Sequence, residues 1–437
     1  MTTAEPFELR DYQEQGVRFL SATDRALLAD EMGLGKTVQV AVALARLRAH
    51  GGLRRALIVC PASLQLNWTR ELRRFGPPCA VRSTQDLGES DREWLYRLPV
   101  PLTITSYESL RTDFLPVAPR TDFDVVVFDE AQRLKNRDSV TTWAAHRAGG
   151  SRVWLLSATP LENGVADLGS LAEVLGLLPR GGAASEDSAQ VQEAFQGRFL
   201  RRRKVDVLRE LPPLIVQEMP LRLSGQQRTE YDDLLHDQEW NGGVADLLAL
   251  ITRLKLVCNR ASDGSSVKLD ALRLILDDPA NEPAKVIVIS QYTRTLRWLA
   301  EVLEERSMLY VGDLSATARD QALRAFQEAD GTAVLLLSLK AGGVGLNIPE
   351  ATHVVLFDRW WTPAAEDQAV ARAHRFGRVG ALLVYSFRVA DSVEDRIVQI
   401  AQDKTDIFDQ VVEDGMVGAA EVAGWSRRDL LAVLDRT

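Results

Sequence analysis

The sequence has little cysteine and little histidine. Its three cysteines, Cys60, Cys79 and Cys258, are widely spaced, no CxxC pair occurs, and histidine appears 5 times in 437 residues. Structural zinc sites and disulfide frameworks need closely spaced ligands or paired cysteines. We therefore expect neither zinc nor disulfides, and a reducing cytoplasm fits this composition.

The sequence also lacks a long apolar run and an excess of basic residues. No run reaches the roughly 20 apolar residues that a membrane-spanning helix needs, and the N-terminus has no basic-then-apolar signal pattern. Lys and Arg number 52 against 61 Asp and Glu, which gives a net charge of -9. This balance argues against a coat of nonspecific nucleic-acid-binding charge but permits a locally basic cleft. We expect a soluble cytoplasmic protein with no membrane partner.

Short β-rich apolar runs alternate with helical patterns in two parts of the chain. The runs are ALIVCP (56–61), LTITSY (102–107), DVVVFDE (124–130), VWLLSATP (153–160), KVIVISQY (285–292), TAVLLLS (332–338), THVVLFD (352–358) and LLVYSF (382–387). Such runs suit parallel strands covered on both faces. The alternation predicts an α/β fold with two doubly wound parallel-sheet lobes, separated by a mostly helical stretch over 161–260.

The stretch ADEMGLGKT (29–37) has the features of a loop that holds nucleotide phosphates. Gly33 and Gly35 would let the backbone approach phosphate, Lys36 would reach the β- and γ-phosphates, and Thr37 would ligate Mg²⁺. The general pattern has a glycine where this sequence has Asp30. From this motif alone, a nucleotide site and a helix start that contains GKT by chance remain equally open.

Two carboxylates follow the strand pattern VVVFDEAQ. Ligands of open α/β sheets bind at the carboxyl ends of strands, where Asp129 and Glu130 would lie. Asp129 could hold Mg²⁺ and Glu130 could orient the attacking water. An isolated acidic pair would more simply cap the next helix. The preceding phosphate loop favours the functional interpretation.

The segment DQAVARAHRFGR (367–378) predicts a helix in the second lobe. Arg372 and Arg375 would share one face of it, because they are three residues apart. Two guanidinium groups on one face suit the charge that develops on a transferring phosphoryl group. The alternative is a solvated basic helix face.

Ordered motifs along nearly the whole chain resemble the Swi/Snf-type branch of helicase superfamily two, the DNA-translocating ATPases. The matching segments are LRDYQEQGVRFL (9–20), ADEMGLGKTVQ (29–39), LIVCPASLQLNWTREL (57–72), ITSYESL (104–110), VVVFDEAQRLKN (125–136), LLSATPLEN (155–163), FLRRRKVDVLRELPP (199–213), VIVISQYTRTL (286–296), LSLKAGGVGLN…HRFGR (337–378) and SVEDRIVQIAQDK (392–404). In this family an acidic residue is usual where other phosphate loops have glycine, so Asp30 fits the resemblance.

The resemblance implies two RecA-like lobes, with an ATP-binding lobe 1 and its helical protrusion over 1–205. Lobe 2, with linker helices and a C-terminal brace helix, would cover 206–437. It implies ATP and Mg²⁺ as cofactors, Gln13 as an adenine contact, Lys36, Asp129 and Glu130 in catalysis, and Thr37 and Asp129 as metal ligands. Arg372 and Arg375 would be arginine fingers, with Gln368 beside them. The other implied nucleotide contacts are Met32, Gly33, Leu34, Gly35, Val38 and Gly345.

The resemblance further implies contacts with double-stranded DNA, mostly to its phosphates. The candidate residues are Ser63, Asn67, Trp68, Tyr107, Gln291, Lys340, Ala341, Gly342 and Trp361. Trp360 and Trp361 could wedge near the duplex, although core packing is an equally good interpretation.

Three positions depart from the family pattern. Gln132, in motif II (VVVFDEAQRLKN, 125–136), stands where histidine is more usual. Its amide could still couple motif II to motif III (LLSATPLEN, 155–163). Motif III reads SAT rather than TGT. Arg378 stands where glutamine is more usual and would add a charge near nucleotide or DNA.

The expected function is ATP-dependent translocation on duplex DNA that remodels or displaces bound protein. The alternatives are an RNA-dependent ATPase and a non-hydrolysing ATP-gated scaffold. The resemblance favours a compact bacterial, nucleoid-associated member that takes its targeting from a protein partner.

Overall fold

The structure is a computed structural model, and it describes most of the chain. The described residues are 8–114, 123–158, 165–182, 187–208, 210–236, 244–281, 283–338, 348–360, 363–375, 378–400 and 433–434. The chain divides into two compact units, with the division between residues 209 and 210. Each unit is an α/β lobe built on its own parallel sheet, as the strand pattern predicts.

Lobe 1 contains a seven-stranded sheet in the order β3-β4-β2-β5-β6-β1-β7. The strands are β1 Arg25–Leu28, β2 Ala56–Cys60, β3 Val81–Ser83, β4 Leu102–Ser106, β5 Val125–Asp129, β6 Arg152–Leu156 and β7 Phe199–Leu200. The helices are α1 Asp11–Ala22, α2 Lys36–Ala49, α3 Gln65–Phe75, α4 Glu89–Arg97, α5 Tyr107–Phe114, α6 Val140–Arg147, α7 Val165–Leu175, α8 Ser188–Phe195 and α9 Lys204–Val207. All strand pairs are parallel, so all strands end at the same sheet edge.

Lobe 2 contains a six-stranded parallel sheet in the order β10-β11-β9-β12-β13-β8. The strands are β8 Leu214–Leu221, β9 Lys285–Ser290, β10 Ser307–Tyr310, β11 Ala333–Ser338, β12 His353–Leu356 and β13 Leu382–Val389. The helices are α10 Gly225–His236, α11 Val244–Asn259, α12 Val267–Leu276, α13 Thr293–Leu303, α14 Ala316–Glu328 and α15 Pro363–Val370. Residues 393–400, at the start of the predicted brace, are also helical.

All eight predicted apolar runs are strands, and the central ones are buried along their whole length because helices cover both sheet faces. Five strands of the described residues were missed by the sequence analysis: β1, β3, β7 and β10, which have at most four residues each, and β8. Strand β8 has eight residues and was missed for another reason. It lies at the sheet edge and is largely exposed, so its sequence LIVQEMPL shows no continuous apolar run. Near the C-terminus, Val433 and Leu434 pack in a hydrophobic cluster of lobe 2 that includes residues of α10 and α11. Within the described ranges, no helix has the length and apolar character needed to cross a membrane.

A buried ion pair joins the linker helices of lobe 2 to the start of the brace. Lys268 Nζ lies 2.5 Å from Glu394 Oε1, and neither side chain is exposed. Lys268 Nζ also donates to Asn259 Oδ1 at 2.9 Å, and Glu394 Oε2 accepts from the Val389 backbone at 3.1 Å. Removing one member of such a pair leaves an uncompensated buried charge.

We expect Lys268→Met to lower the free energy of unfolding of lobe 2 by about 3–5 kcal/mol, because Glu394 would lose its counter-charge. The double variant K268M/E394Q should recover at least half of that loss, since a glutamine oxygen can still accept from Val389. Arg306→Ala, which removes an exposed pair with Asp277, is the control and should cost less than about 1 kcal/mol. Urea denaturation of the full chain measures all three. Equal losses for K268M and R306A would contradict the assignment.

Candidate functional site

The predicted nucleotide residues of lobe 1 lie at the carboxyl edge of its sheet. The phosphate loop follows β1, Asp129 ends β5, and Ser157 follows β6. These three strands are neighbours in the order β5-β6-β1 and run parallel. The topology therefore brings the phosphate loop (29–37), Asp129 of motif II and Ser157 of motif III to one edge, where open α/β sheets bind their ligands.

Two glycines of the phosphate loop have a left-handed backbone conformation. Gly33 has φ of 92° and Gly35 has φ of 76°, values that side chains with a Cβ rarely adopt. Gly35 is the N-cap of α2, so Lys36, Thr37 and Val38 form the first helical turn. The amides of that turn have no acceptor within the helix and, with the helix dipole, suit an anion. Met32 and Val38 are half-buried beside the loop, and Leu34 is buried beneath it.

Asp30 lies underneath the loop, away from the phosphate-binding amides. Its side chain is fully buried and forms an ion pair with Arg202, with Nε 2.9 Å from Oδ1. Gln39 on α2 bridges the pair, because its Nε2 donates to Asp30 Oδ2 at 3.0 Å while its Oε1 accepts from Arg202 at 2.9 Å. The Asp30 backbone carbonyl accepts from Lys36 Nζ at 2.6 Å. The carboxylate is thus compensated below the loop, and Asp30 is a positioning residue that does not face the phosphates.

Helix α1 packs directly against this network. Arg202 also donates to the Tyr12 backbone carbonyl, and its guanidinium lies over the Tyr12 ring at 5.5 Å. A Cβ on Gly16 would stand 1.7 Å from Gln39 Oε1, so a larger residue there would displace the Gln39 side chain from this network. Gln13 is buried, and its Nε2 would lie 2.7 Å from a Cβ at Gly35. Gln13 therefore adjoins the phosphate loop, as a nucleotide contact requires.

Asp129 is enclosed by hydrogen bonds from two aromatic side chains. Trp68 Nε1 donates to Asp129 Oδ2 at 2.8 Å, and the Tyr107 hydroxyl donates to the Asp129 carbonyl at 2.8 Å. Burial, and then the adjacent Glu130 carboxylate, raise the pKa of Asp129, whereas the Trp68 hydrogen bond and the Lys36 ammonium oppose the rise. A site of this kind is stabilised by a nearby cation.

The assignment of Trp68 and Tyr107 to DNA contacts is corrected by their burial. Trp68 is 0% exposed and Tyr107 is 2% exposed. Both side chains direct their polar atoms at Asp129 and present no surface to a duplex. Their role is to position motif II. Ser63 is exposed and Asn67 is half-buried near the end of β2, so the predictions for these two residues stand.

Motifs II and III are joined by a hydrogen-bonded chain. Gln132 Nε2 donates to Glu130 Oε2 at 2.6 Å, and Gln132 Oε1 accepts from the Ser157 hydroxyl at 2.8 Å. The expected coupling through Gln132 is therefore present. Glu130 itself has φ of 55°, a strained value for a residue with a side chain, and such strain concentrates at functional sites.

The oxygen ligands at this edge fit Mg²⁺. Thr37 and Asp129 offer a hydroxyl and a carboxylate, and Mg²⁺ is usually held by one or two carboxylates together with substrate phosphates. Asp129 and Glu130 are adjacent carboxylates and both are buried, which favours a cation here. Across the described ranges, no three His, Cys, Asp or Glu residues converge as a complete metal cage.

The predicted helix over 367–378 is wrong beyond residue 370. Helix α15 ends at Val370, and residues 371–375 form turns. The chain leaves the helix because it is held elsewhere: the Arg372 carbonyl accepts from Ile348 at 3.0 Å, and His374 Nε2 lies 2.9 Å from the Pro212 carbonyl. Arg372 is buried, and Arg375 Nε donates to the Ala371 carbonyl at 2.8 Å. Gln368 is half-buried on α15. The predicted roles of these three residues stay predictions, without the shared helix face.

Arg378 is structural, contrary to the expected charge near nucleotide or DNA. It is 6% exposed, and it donates to the carbonyls of Gly380 at 2.9 Å, Ala381 at 2.6 Å and Ala351. The guanidinium thus satisfies backbone acceptors at the start of β13. A side chain so enclosed does not reach a ligand.

The remaining predicted DNA residues are only partly covered by the structure. Gln291 follows β9; its backbone amide donates to Asp358 Oδ1 at 3.0 Å and its Nε2 donates to the Arg359 carbonyl at 2.6 Å. Its side-chain nitrogen is therefore engaged within lobe 2. Lys340, Ala341, Gly342, Gly345 and Trp361 lie outside the described residues.

Two families of known proteins match consecutive parts of this chain. Residues 12–263 match the family described as SNF2-related domain, and residues 267–377 match the helicase conserved C-terminal domain. The chain belongs to the SNF2 family. The first match alone covers more than half of the chain, and the two follow one another in sequence.

Relatives within the SNF2 family include two bacterial proteins. An uncharacterized ATP-dependent helicase of Mycoplasma pneumoniae is 32% identical, with 93% of this chain and 42% of the relative aligned. The putative ATP-dependent helicase/translocase YwqA of Bacillus subtilis is 29% identical, with 93% and 49% aligned. The chain thus spans less than half the length of these relatives. A Sulfolobus solfataricus SWI2/SNF2 ATPase core, solved with dsDNA, aligns over 100% of both chains at 24% identity and a TM-score of 0.44.

Sequence reasoning missed Arg202, which completes the SNF2 phosphate loop from 172 residues away. It lies in the RRRK cluster of the segment FLRRRKVDVLRELPP (199–213), whose residues were given no individual roles. The available signal was a second uncommon feature: an acidic residue in a phosphate loop needs a buried cation to offset it.

We expect Arg202→Gln to raise the Kd for ATP by about tenfold, equivalent to about 1.4 kcal/mol, because the unpaired Asp30 carboxylate would displace the loop. The adjacent Arg203→Gln removes an exposed arginine paired with Asp206 and is the matched control. The double variant D30N/R202Q should regain part of the affinity. Binding of a fluorescent ATP analogue measures the series. If R202Q and R203Q bind alike, the positioning role is wrong.

Proposed function

We propose that this chain is an ATPase that uses ATP hydrolysis to move along double-stranded DNA and to displace or remodel bound protein. The observation that carries the proposal is the single sheet edge of lobe 1. There the open phosphate loop, the Asp129–Glu130 pair and the Gln132–Ser157 hydrogen bonds lie together. Membership of the SNF2 family supports it.

The residues at the carboxyl edge of the lobe 1 sheet would bind the nucleotide, hold the metal ion and orient the attacking water. Glycines 33 and 35 admit the phosphates to the first-turn amides of α2, and Lys36 leaves the Asp30 carbonyl to contact the β- and γ-phosphates. Thr37 and Asp129 would hold Mg²⁺, which supplies neutralisation of phosphate charge. Glu130 orients the attacking water, and Gln132 relays the state of that carboxylate to Ser157.

Lobe 2 supplies the arginines that complete catalysis. Arg372 and Arg375 would stabilise the charge that develops on the transferring phosphoryl group, and Gln368 would assist them. Because metal-side and finger-side residues belong to different lobes, hydrolysis depends on movement of both. That movement would advance the chain along one strand of the duplex, with Ser63, Asn67, Gln291, Lys340, Ala341 and Gly342 as phosphate contacts.

We expect Lys36→Ala, Glu130→Gln and Arg375→Ala each to reduce steady-state ATP turnover by at least about 10³-fold, since phosphate positioning, water orientation and finger charge each lower the barrier. Arg378→Lys, at the structural arginine of the same segment, is the control and should retain turnover within a few-fold. A phosphate-release assay measures all four. Near-normal turnover by any of the first three would remove that residue from the mechanism, and retained turnover by all three would refute ATP hydrolysis at this site.

We also expect duplex DNA to stimulate the ATPase, and the stimulation to fall as salt rises, because counterion release favours binding only at low salt. Single-stranded DNA and RNA in parallel assays distinguish the nearest alternatives. Greater stimulation by RNA would favour an RNA-dependent ATPase. Binding of ATP without phosphate release under any of these conditions would favour a gated scaffold.

A further inference from the structure

A groove on lobe 2 is lined by basic residues to which the sequence analysis assigned no role. It has a volume of about 340 Å³ and lies among α10, α11 and α13. Three arginines contribute to its lining: Arg253 on α11, Arg260 just after α11, and Arg294 in the first turn of α13. We call this surface the arginine groove. All three arginines are exposed, in a chain whose net charge is -9.

Among the residues that the structure describes, none of the three guanidiniums forms an ion pair with a carboxylate. By contrast, Arg228, Arg297 and Arg306 of the same lobe each pair with an aspartate. One carboxylate, Glu230, also lines the groove. Its oxygens accept from the Ser262 amide at 3.0 and 3.1 Å and from Gln226 at 2.9 Å. The lining therefore keeps an excess of positive charge.

The spacing of the arginines suits a repeating anion. Arg253 and Arg260 are seven residues apart, a rise of about 10.5 Å along a helix. Phosphates of one duplex strand are spaced by about 3.4 Å along the helix axis, so two arginines this far apart can contact separate phosphates of one strand. The Arg260 guanidinium lies 5.1 Å from the centre of the Trp298 ring, which limits its orientations. An arginine held in this way loses less entropy when its N–H groups bind phosphate.

The groove also lies next to a predicted DNA contact. Arg294 is three residues beyond Gln291 in sequence, and α13 starts two residues after it. Phosphate contacts at the end of β9 would thus continue onto α13 and then α11. Continuity of this kind favours a nucleic-acid strand over an acidic protein segment as the occupant.

We propose that the arginine groove binds backbone phosphates of the duplex and extends the DNA contact of lobe 2 beyond the predicted contact residues. This inference rests on the proposed function. It adds that Arg253, Arg260 and Arg294 contribute to affinity for DNA and take no part in ATP chemistry.

The test compares two triple variants that lower the net charge equally. R253Q/R260Q/R294Q removes the groove arginines, and R228Q/R297Q/R306Q removes three ion-paired arginines of lobe 2. Fluorescence anisotropy with a labelled 30-base-pair duplex gives log Kd against log salt concentration. The slope should fall by up to roughly 2.7 for the groove variant, at about 0.9 per phosphate contact, and by much less for the control. The double variant R253Q/R294Q, which keeps the Arg260–Trp298 contact, should lose up to roughly 1.8.

ATPase assays separate this inference from the proposed function. The groove variant should keep wild-type turnover without DNA and at saturating duplex, and should need more DNA for half-maximal stimulation. Unchanged slope in the groove variant, or equal loss in both triple variants, would overturn the inference while leaving the proposed function intact. Absence of duplex binding by the wild-type chain at low salt would overturn both.

Discussion

The buried pair of Asp30 and Arg202 is the interaction on which the nucleotide edge of lobe 1 depends. An acidic side chain in a phosphate loop would repel a nucleotide phosphate if it pointed toward the backbone amides that bind the phosphate. Here it is directed below the loop, where one arginine and one glutamine satisfy it. The pair connects β1, α1 and α2 with a segment 172 residues later. The acidic residue in the phosphate loop is thus neutralised by an arginine that is distant in sequence but belongs to the same lobe.

Asp129 of motif II is also positioned by hydrogen bonds from neighbouring side chains. Trp68 donates to its carboxylate and Tyr107 donates to its backbone carbonyl. Each follows a different strand of the sheet, so β2, β4 and β5 together fix the position of Asp129. Rigid support of this kind holds catalytic groups in place before the ligand arrives. The strained backbone of Glu130 persists because this surrounding structure over-determines it.

Sequence patterns predicted most of the covered strands and the glycine-containing loop, because both follow from local chemistry. The covered strand β1 was missed because it has only four residues. A strand buried on both faces must be apolar throughout, and a loop that approaches phosphate must contain glycine. Other misses have a common physical origin in contacts made at long range. Strand β8 is an exposed edge that only its pairing with β13 reveals. Helix α15 stops early because residues 348 and 212 hold the chain beyond it. Arg378, Trp68 and Tyr107 were assigned to ligands because polar and aromatic residues near motifs suggest contact, whereas burial decides their roles.

The Gln132 bridge has a consequence for the response of the site to acidity. Resemblance to the family leads one to expect histidine at this position, and histidine changes its charge between about pH 5 and 8. Neither the glutamine amide nor the Ser157 hydroxyl ionises in that range. The glutamine and serine members of the link between motif II and motif III therefore keep the same charge in mildly acidic and mildly alkaline conditions, which a histidine in place of Gln132 would not do.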